Sequence, residues 1–559
     1  MMKKTAFMIT SGILAAMFLW LPHSLVQACT NYLITKGASA DGSTMITYAA
    51  DAHVLYGELY YTPAQDHMEG SMLDIYEWDT NKYLGKIKQV PHTYAVVGLM
   101  NEHQVAVGET TWGGRKELRD PKAIMDYGSL MFIALQRAKT AREAIKVMTH
   151  LVAEYGYASS GESFSISDPN EVWFMDLISK GPDNKGAVWV ARRIPDGYIC
   201  AHANQARIRQ FPLNDPKNCL YAKDVISFAR EKKYFEGKDE DFSFVDAYAP
   251  LDFGALRFCE ARVWSMFRRT VKDPKTMDQY LDYVKGDPKA KPVPFWIKPY
   301  KKLSVRDLME LMRDHFEGTA LDMTKDVGAG PFRLPYRWRP LTWQLEDKED
   351  APRYCNERAV STQQTGFSFV AQARSWLPGP IGGIFWIGVD DTYSTVYVPM
   401  YCGIRQVPKS YAVGTGSFTE FTWESAWWVF NFVANFAYSR YCDMIKDIQV
   451  VQRELEGKFL AVQPEIEQAA LNLYKQSPEL AREYLTAYSV REGNAVVKRW
   501  KRLGEFLLYK YLDGNLKVIK TNGQIEVTHP GYPKEWYKRI VEETGDHFKV
   551  KEEKKEESH

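Results

Sequence analysis

The chain has 559 residues, with 71 Lys and Arg against 70 Asp and Glu, so its formal net charge at pH 7 is +1. This balance creates no overall field that would attract nucleic acid or an anionic membrane, and we expect neither as a partner. The length is ample for a large core, and an aromatic content of 14% is typical of a well-packed globular protein. The sequence contains neither a C-x-x-C pair nor an H-E-x-x-H motif, and we expect no metal and no organic cofactor.

Residues 1–28 are predicted to be a secretory signal peptide. Two lysines near the start precede an apolar run over residues 6–21, and Val26 and Ala28 occupy the −3 and −1 positions of a small-residue cleavage site. The run is short for a membrane span, which needs about 20 apolar residues. We therefore expect a secreted or periplasmic protein, cleaved between Ala28 and Cys29, with no stable membrane insertion afterwards.

Cleavage at this point makes Cys29 the first residue of the mature chain. It then carries both a thiol nucleophile and an α-amine, whose pKa of roughly 7.7–8.0 suits a base near neutral pH. This pairing is typical of an N-terminal-nucleophile hydrolase. Two other interpretations stay open. In the first, Cys29 is the acylated cysteine of a lipoprotein, although Val26 and Gln27 fit that signal poorly. In the second, Cys29 is an ordinary thiol, one of seven cysteines of which the other six are compatible with disulfides.

The first half of the sequence is predicted to consist mostly of short strands. Composition and turn residues predict strands over 32–35, 44–49, 93–99, 104–108, 163–167, 171–176, 189–192 and 198–201. The Asp41-Gly42 pair predicts a turn between the first two strands. Apolar residues at helical spacing predict helices over 127–137, 140–155 and 303–316, with Thr140 and Ser304 as N-caps.

The second half returns to strands and then becomes helical. Strands are predicted over 361–370, 384–389 and 395–400, and helices from Trp423 to about 512 with a break near Ser477. We therefore predict a core over 29–420 with insertions, a helical extension over 421–515 and a C-terminal segment over 516–559. Its charged end, from residue 549, is expected to be disordered. This order of elements fits an α+β layered core.

The segment over residues 29–46, CTNYLITKGASADGSTMI, resembles the start of the mature dipeptidase A family. These are cysteine peptidases of the N-terminal-nucleophile superfamily, related to penicillin V acylase and to bile salt (choloylglycine) hydrolase. The resemblance extends over about residues 29–450 and is tightest in this segment. It implies a four-layer αββα sandwich whose nucleophile starts a central strand. It also implies a dipeptidase that uses a thioester intermediate and acts on small peptides, with no cofactor.

The resemblance also assigns roles to other residues. It implies that Asp51 orients the α-amine, that Asn204 and a donor near Thr110 form the oxyanion hole, and that Arg262 approaches the site. Tyr48 stands where the family usually has an arginine, which implies altered activity or an arginine supplied from elsewhere in the chain. Simpler roles stay open for three of these residues: a turn cap for Asp51, backbone satisfaction for Asn204 and a salt bridge for Arg262.

These residues together predict a secreted cysteine dipeptidase. Its α-amine takes the thiol proton, the thiolate attacks the peptide carbonyl, and water later hydrolyses the thioester. Two alternatives stay open: an amidase of the same fold acting on acyl amides of the bile salt or penicillin type, and a lipid-anchored surface protein without enzymatic activity. A homo-oligomer is also left open.

Overall fold

A computed structural model describes residues 29–551 of the chain. The predicted signal peptide and residues 552–559 of the predicted charged tail lie outside the described residues. The helices are α1 (Tyr127–Arg137), α2 (Ala141–Tyr155), α3 (Val225–Glu231), α4 (Phe244–Tyr248), α5 (Ala261–Thr270), α6 (Leu281–Val284), α7 (Val305–Leu311), α8 (Gly379–Gly382), α9 (Ala426–Tyr438), α10 (Tyr441–Tyr474), α11 (Pro478–Tyr511) and α12 (Lys534–Thr544).

The strands are mostly short and antiparallel. They are β1 (Asn31–Ile34), β2 (Thr44–Asp51), β3 (Tyr61–Thr62), β4 (Gln65–Asp66), β5 (Met72–Tyr76), β6 (Tyr83–Lys88), β7 (His92–Thr93), β8 (Val96–Val97), β9 (Met100–Asn101), β10 (Ala106–Trp112), β11 (Gly161–Ser167), β12 (Val172–Ser179), β13 (Ala187–Arg193), β14 (Ile199–His202), β15 (Cys219–Tyr221), β16 (Trp296–Ile297), β17 (Thr342–Gln344), β18 (Arg353–Cys355), β19 (Thr365–Ala373), β20 (Ile384–Val389), β21 (Val398–Tyr401), β22 (Leu516–Ile519) and β23 (Ile525–Thr528).

Two large sheets form the centre of the fold. One has seven strands in the order β16-β14-β1-β2-β19-β20-β21, and the other has eight in the order β15-β13-β12-β11-β10-β9-β8-β3. The sheets pack against each other where β1 and β2 contact β10 and β11. Helices α1 and α2 pack on the eight-stranded sheet, and α5, α7, α9 and α11 pack on the seven-stranded one. Mixed helix and sheet content agrees with the predicted α+β class.

The central strands are buried along their whole length, including their polar residues. All seven residues of β11 are buried, although three of them are serines. Ser163 donates a hydrogen bond to Asp176 on β12, and Ser165 bonds with a ring nitrogen of His202 on β14. Because buried polar groups must be paired to be tolerated, these contacts explain how a strand rich in hydroxyls can lie inside the core.

Most of the predicted elements are confirmed, and the boundaries of some are corrected. Helix α1 has the predicted bounds, and Thr140 caps α2 by accepting a hydrogen bond from the Glu143 N–H. Helices α9, α10 and α11 occupy the predicted helical region, with the break at Ser477. The helix predicted over 303–316 ends at Leu311. Its continuation would prevent buried Arg313 from reaching Glu456 on α10, which it does at 2.5 Å.

The hairpin predicted over residues 93–108 is also corrected. The structure divides it into the two-residue strands β8 and β9, joined through Gly98 at φ 57°, and a second turn leads into β10. The turn at Gly98 is the one that the sequence did not predict, whereas the second turn has the predicted position and is organised by Asn101. Its side chain accepts hydrogen bonds from the N–H groups of His103 and Val105 and donates to the carbonyl of Leu135. The backbone folds around this amide instead of continuing as a strand.

All seven cysteines are free, so the six that are compatible with disulfides do not pair. Within residues 29–551, no helix combines the length and the apolar character needed to cross a bilayer.

Candidate active site

Three chain segments meet at one end of the seven-stranded sheet. Cys29 stands before β1, Asp51 ends β2, and Asn204 follows β14. Because β2 and β14 both pair antiparallel with β1, their ends lie beside its start. A bridge between Thr30 and Ala49 fixes this register next to the nucleophile. The fold thus brings together three residues that the sequence predicts for one site.

The Cys29 thiol is buried, with 2% of the residue exposed. Its Sγ lies 3.6 Å from the hydroxyl of Tyr48 and 3.6 Å from Oε1 of Glu109, and the Tyr48 hydroxyl donates a hydrogen bond to that same oxygen. Burial raises the pKa of the thiol well above its usual value, and the charges of Glu109 and Asp51 add to this effect. Hydrogen bonds from the Asp51 N–H and from Tyr48 oppose it. The thiol therefore stays protonated at neutral pH unless a base removes its proton.

Cys29 lines a cavity of about 120 Å³. Its wall is largely aromatic, and the rings that line it are those of Tyr48, Tyr60, Trp78, Tyr127 and Phe367. Asp79 lines the same cavity, and its Oδ1 accepts a hydrogen bond of 2.7 Å from the Tyr127 hydroxyl. A small cavity with apolar walls and a few polar groups beside a nucleophile has the features of a small-molecule site.

Asp51 is held by an arginine from a distant part of the chain. Its Oδ2 accepts a hydrogen bond of 2.5 Å from Arg358, and its Oδ1 accepts one of 2.6 Å from the hydroxyl of Thr365. Burial raises the pKa of the Asp51 carboxyl, while the charge of Arg358 and the bond from Thr365 oppose that rise. An arginine therefore stands next to the site despite Tyr48, supplied from the segment before β19.

Arg262 holds the backbone of Cys29 in place. Its Nη1 donates to the carbonyl oxygen of Cys29 and, at 2.8 Å, to the hydroxyl of Thr30, while its Nη2 donates at 3.0 Å to the carbonyl of Ala203 and to Oδ1 of Asn204. Burial and the charge of Arg358 lower the pKa of Arg262 to about 10, so it remains a cation at neutral pH. The predicted approach of Arg262 to the site agrees with this geometry, and it acts by positioning the cysteine.

Asn204 has the backbone conformation of a residue under constraint. Its φ is +65°, in the left-handed region that asparagine tolerates better than most residues. Its Nδ2 donates at 2.8 Å to the carbonyl of Thr111. Together with Arg262 and Arg358 it lines a second cavity of about 560 Å³. Arg358 lines this larger cavity, whereas its ion-pair partner Asp51 lines the aromatic one.

The Thr110 hydroxyl bonds with a histidine. It lies 2.7 Å from Nδ1 of His202, whose Nε2 lies 2.7 Å from the hydroxyl of Ser165. Burial lowers the pKa of His202 well below its usual value, and nearby arginines reinforce this, so the ring is neutral. His202 therefore has a structural role between the sheets. The oxyanion role of Thr110 stays a prediction.

Sequence reasoning gave no role to two buried carboxyl groups, one beside the thiol and one in the neighbouring strand. Glu109, in β10, is 0% exposed, and Glu162, in the neighbouring strand β11, is also 0% exposed. Thr111 joins them, because its hydroxyl donates to Glu162 Oε1 at 2.8 Å and lies 3.5 Å from Glu109 Oε2. The available signal was an acidic residue inside each of two otherwise apolar or hydroxyl-rich strands. Residues 29–551 contain no group of three or more His, Cys, Asp or Glu side chains arranged to hold a metal ion.

With this geometry established, comparisons with known proteins define the class of the chain. A probable dipeptidase of Latilactobacillus sakei is 25% identical, over 74% of this chain and 82% of the relative. A probable dipeptidase of Salmonella dublin is 24% identical, over 68% of this chain and 82% of the relative. Probable dipeptidase B of Streptococcus pyogenes serotype M1 is 21% identical, over 89% of this chain and 95% of the relative. The chain is a hydrolase of the peptidase class.

Within that class, the chain belongs to peptidase family C69, which it matches over residues 58–454. The matched stretch contains Asn204, Arg262 and Arg358, whereas Cys29 and Asp51 precede it. The predicted kinship with dipeptidase A is thereby confirmed.

Proposed function

We propose that this protein is a dipeptidase whose nucleophile is Cys29 at the N-terminus of the mature chain. One observation carries the proposal: Cys29 is buried at the start of a central strand, lines a small cavity, and has its carbonyl held by Arg262 and its thiol beside Asp51. Such fixation favours attack because the reacting group is already oriented. The names of the relatives support dipeptides as the substrates.

The proposed reaction begins with a proton transfer. The high pKa of the buried thiol requires a base, and the free α-amine of Cys29 would be attached to the same residue. The amine takes the thiol proton, and the thiolate attacks the carbonyl carbon of the first amino acid. The carboxamide of Asn204, held by Arg262, supplies oxyanion stabilisation, which contributes about 3–4 kcal/mol in serine enzymes. The amine then protonates the departing second amino acid, and water hydrolyses the thioester.

We further propose that the two packed sheets and their helices form the four-layer αββα sandwich of N-terminal-nucleophile hydrolases. The contacts of α1 and α2 with one sheet and of α5, α7, α9 and α11 with the other support this layering. We also propose export with cleavage between Ala28 and Cys29, which the small residues at positions 26 and 28 support.

The test compares the Cys29→Ala variant with a Cys442→Ala control, because Cys442 is a partly exposed cysteine outside the site. Hydrolysis of dipeptides should disappear only in the first variant, and circular dichroism should show that both are folded. Full turnover by Cys29→Ala would refute the mechanism. Mass spectrometry of the exported protein should find an unmodified Cys29 at the N-terminus, whereas a diacylglyceryl group there would favour the lipid-anchored alternative.

A further inference from the structure

The proposed chemistry leaves the carboxyl groups of Glu109 and Glu162 without a task. The α-amine supplies the base, and Asp51 is available to orient it, yet two more acids lie in the core next to the thiol. Glu109 Oε1 is 3.6 Å from Cys29 Sγ, and Thr111 connects Glu109 with Glu162. Burying an acid is costly unless a partner compensates it, so a pair of acids here indicates a purpose.

No protein cation compensates this pair. Within residues 29–551, Glu109 and Glu162 form no ion pair with a basic side chain, and the two buried carboxyl groups interact with each other instead. Burial raises the pKa of both carboxyl groups, and the charge of Glu109 raises that of Glu162 further. The empty pair therefore tends to hold a proton, and an arriving cation would displace it.

We propose that Glu109, backed by Glu162, binds the α-ammonium group of the substrate residue whose carbonyl Cys29 attacks. This inference rests on the proposed function, and it makes the site selective for peptides with a free N-terminus. The ligand is an α-amino acyl group, and the interaction is an ammonium–carboxylate ion pair beside the scissile bond.

The distances support this assignment. In an amino acid, the α-nitrogen lies about 2.5 Å from the carbonyl carbon, as the bond lengths and angle require. A carbonyl carbon poised for attack lies about 3–3.5 Å from the sulfur, and an ammonium–carboxylate hydrogen bond is about 2.7–2.9 Å long. Laid end to end, these three distances run from Cys29 Sγ through the carbonyl carbon and the α-nitrogen to Glu109 Oε1. They are compatible with the 3.6 Å that separates Cys29 Sγ from Glu109 Oε1. Glu109 is fully buried and does not line the empty cavity, so the bound residue must displace the contact between the Cys29 thiol and Glu109. A residue that does so can touch both groups.

The mouth of the cavity carries charge of the same sign. Asp79 is exposed, lines the cavity and adds to the negative potential that Glu109 and Glu162 experience. An acidic entrance with apolar walls attracts cations from solvent and concentrates their field inside. A substrate with a free ammonium group is drawn in, whereas an N-acylated one brings a neutral amide that would leave the buried carboxyl uncompensated.

The first experiment measures hydrolysis of L-alanyl-L-alanine and of its N-acetyl derivative by the wild type, Glu109→Gln, Glu162→Gln and a Glu492→Gln control. Glu492 is a buried glutamate on α11 that pairs with Lys458 and Arg491, and none of these three residues lines the cavity at Cys29. The wild type and the control should strongly prefer the free dipeptide. Glu109→Gln should lower kcat/KM for the free dipeptide roughly 30-fold or more, as losing one partner of a buried charge pair does, and leave the slow acetylated substrate unchanged or faster.

Equal losses on both substrates would overturn the proposal and assign Glu109 to the enzyme's own thiol or amine. Equal cleavage of both substrates by the wild type would also overturn it.

A second experiment separates this inference from the proposed function. Calorimetry with Cys29→Ala measures binding of the same two compounds without any reaction. The ammonium site is supported if the free dipeptide binds preferentially and adding Glu109→Gln abolishes this preference. This holds even if the wild type hydrolyses neither compound, because that result would refute only the dipeptidase proposal. Absence of any preference in Cys29→Ala would refute the ammonium site even if the wild type proves to be a dipeptidase.

Discussion

The hydroxyl of Tyr48 contacts both the Cys29 thiol and Glu109, and removing it tests how the thiol would be activated. In a Tyr48→Phe variant the ring keeps its edge contacts with Phe367 and Phe369, whose centroids lie 5.7 and 5.8 Å away. The variant loses only the hydrogen bond that lowers the pKa of the Cys29 thiol and the one that Tyr48 donates to Glu109. The perturbation is thus chemical and leaves the packing in place.

The magnitude follows from the worth of a hydrogen bond to a charged group, about 1.5–3 kcal/mol. In the resting site the Tyr48 hydroxyl accepts from the Cys29 thiol and donates its proton to Glu109. At about 1.4 kcal/mol per factor of ten, kcat/KM should fall roughly 10- to 150-fold if this proton turns to the thiolate in the transition state. One effect works against this loss. Glu109 without its donor is more readily neutralised, and a neutral Glu109 no longer raises the pKa of the thiol. The lower half of that range is therefore expected.

The assay is kcat/KM for a dipeptide together with the pH dependence of alkylation by iodoacetamide. The alkylation profile of Tyr48→Phe should move to higher pH, because the thiolate has lost a donor. Tyr411→Phe is the matched control, since the Tyr411 hydroxyl is buried and receives no partner within residues 29–551. A Tyr48→Phe enzyme with the kinetics and alkylation profile of this control would refute the reasoning.

Three further variants test the contacts of Arg262, a buried acid and the helical region. Arg262→Lys should lower turnover more than tenfold and destabilise the fold by several kcal/mol. One ammonium group cannot bond to all four oxygen atoms that the two Nη groups of Arg262 reach, and each buried acceptor left unpaired costs about 1–3 kcal/mol. Wild-type turnover would argue against this role of Arg262. Burial raises the pKa of Asp390 to about 8, so the folded state keeps a proton that the unfolded state releases above about pH 4, and stability should fall as the pH rises from 4 to 8. Asp390→Asn keeps the bond from Asn431 and should remove this dependence of stability on pH. In urea unfolding the variant should be more stable than the wild type by up to several kcal/mol at pH 8 and similar to it at pH 4. Parallel curves of stability against pH for the two proteins would contradict the assignment. Trp500→Ala removes a buried ring stacked 4.7 Å from Phe430 and should cost about 3–5 kcal/mol in a single unfolding transition, whereas two transitions would show that the helices unfold separately from the sheets.

The parts of the fold with local signals were predictable from the sequence. Capping residues and helical spacing gave α1 and α2 within a residue, and alternation gave most central strands. The family resemblance implied that Asp51 lies near Cys29, and the antiparallel pairing of β1 with β2 accounts for it, because it brings the start of one strand beside the end of the other. These features depend on neighbours along the chain.

The rest of the site depends on long-range contacts that leave no local trace. Arg358 is 307 residues from Asp51 and lies in an irregular segment without a motif. Glu109 and Glu162 lie in strands, where an acidic residue usually marks the solvent face. Only the packing of the second sheet shows that both are buried.

The antiparallel order of both sheets has a practical consequence for handling this enzyme. Cys29, Asp51 and Thr111 lie at one end of the strands, while the turn after β11 lies at the other, where Thr44 at the start of β2 donates at 2.6 Å to the Asp168 carbonyl. The seven residues of β10 separate the two ends by roughly 20 Å. Asn170, exposed in that far turn, is therefore a suitable attachment point for a fluorophore or an immobilising tether, since a bulky adduct there would neither block substrate entry nor disturb the chemistry.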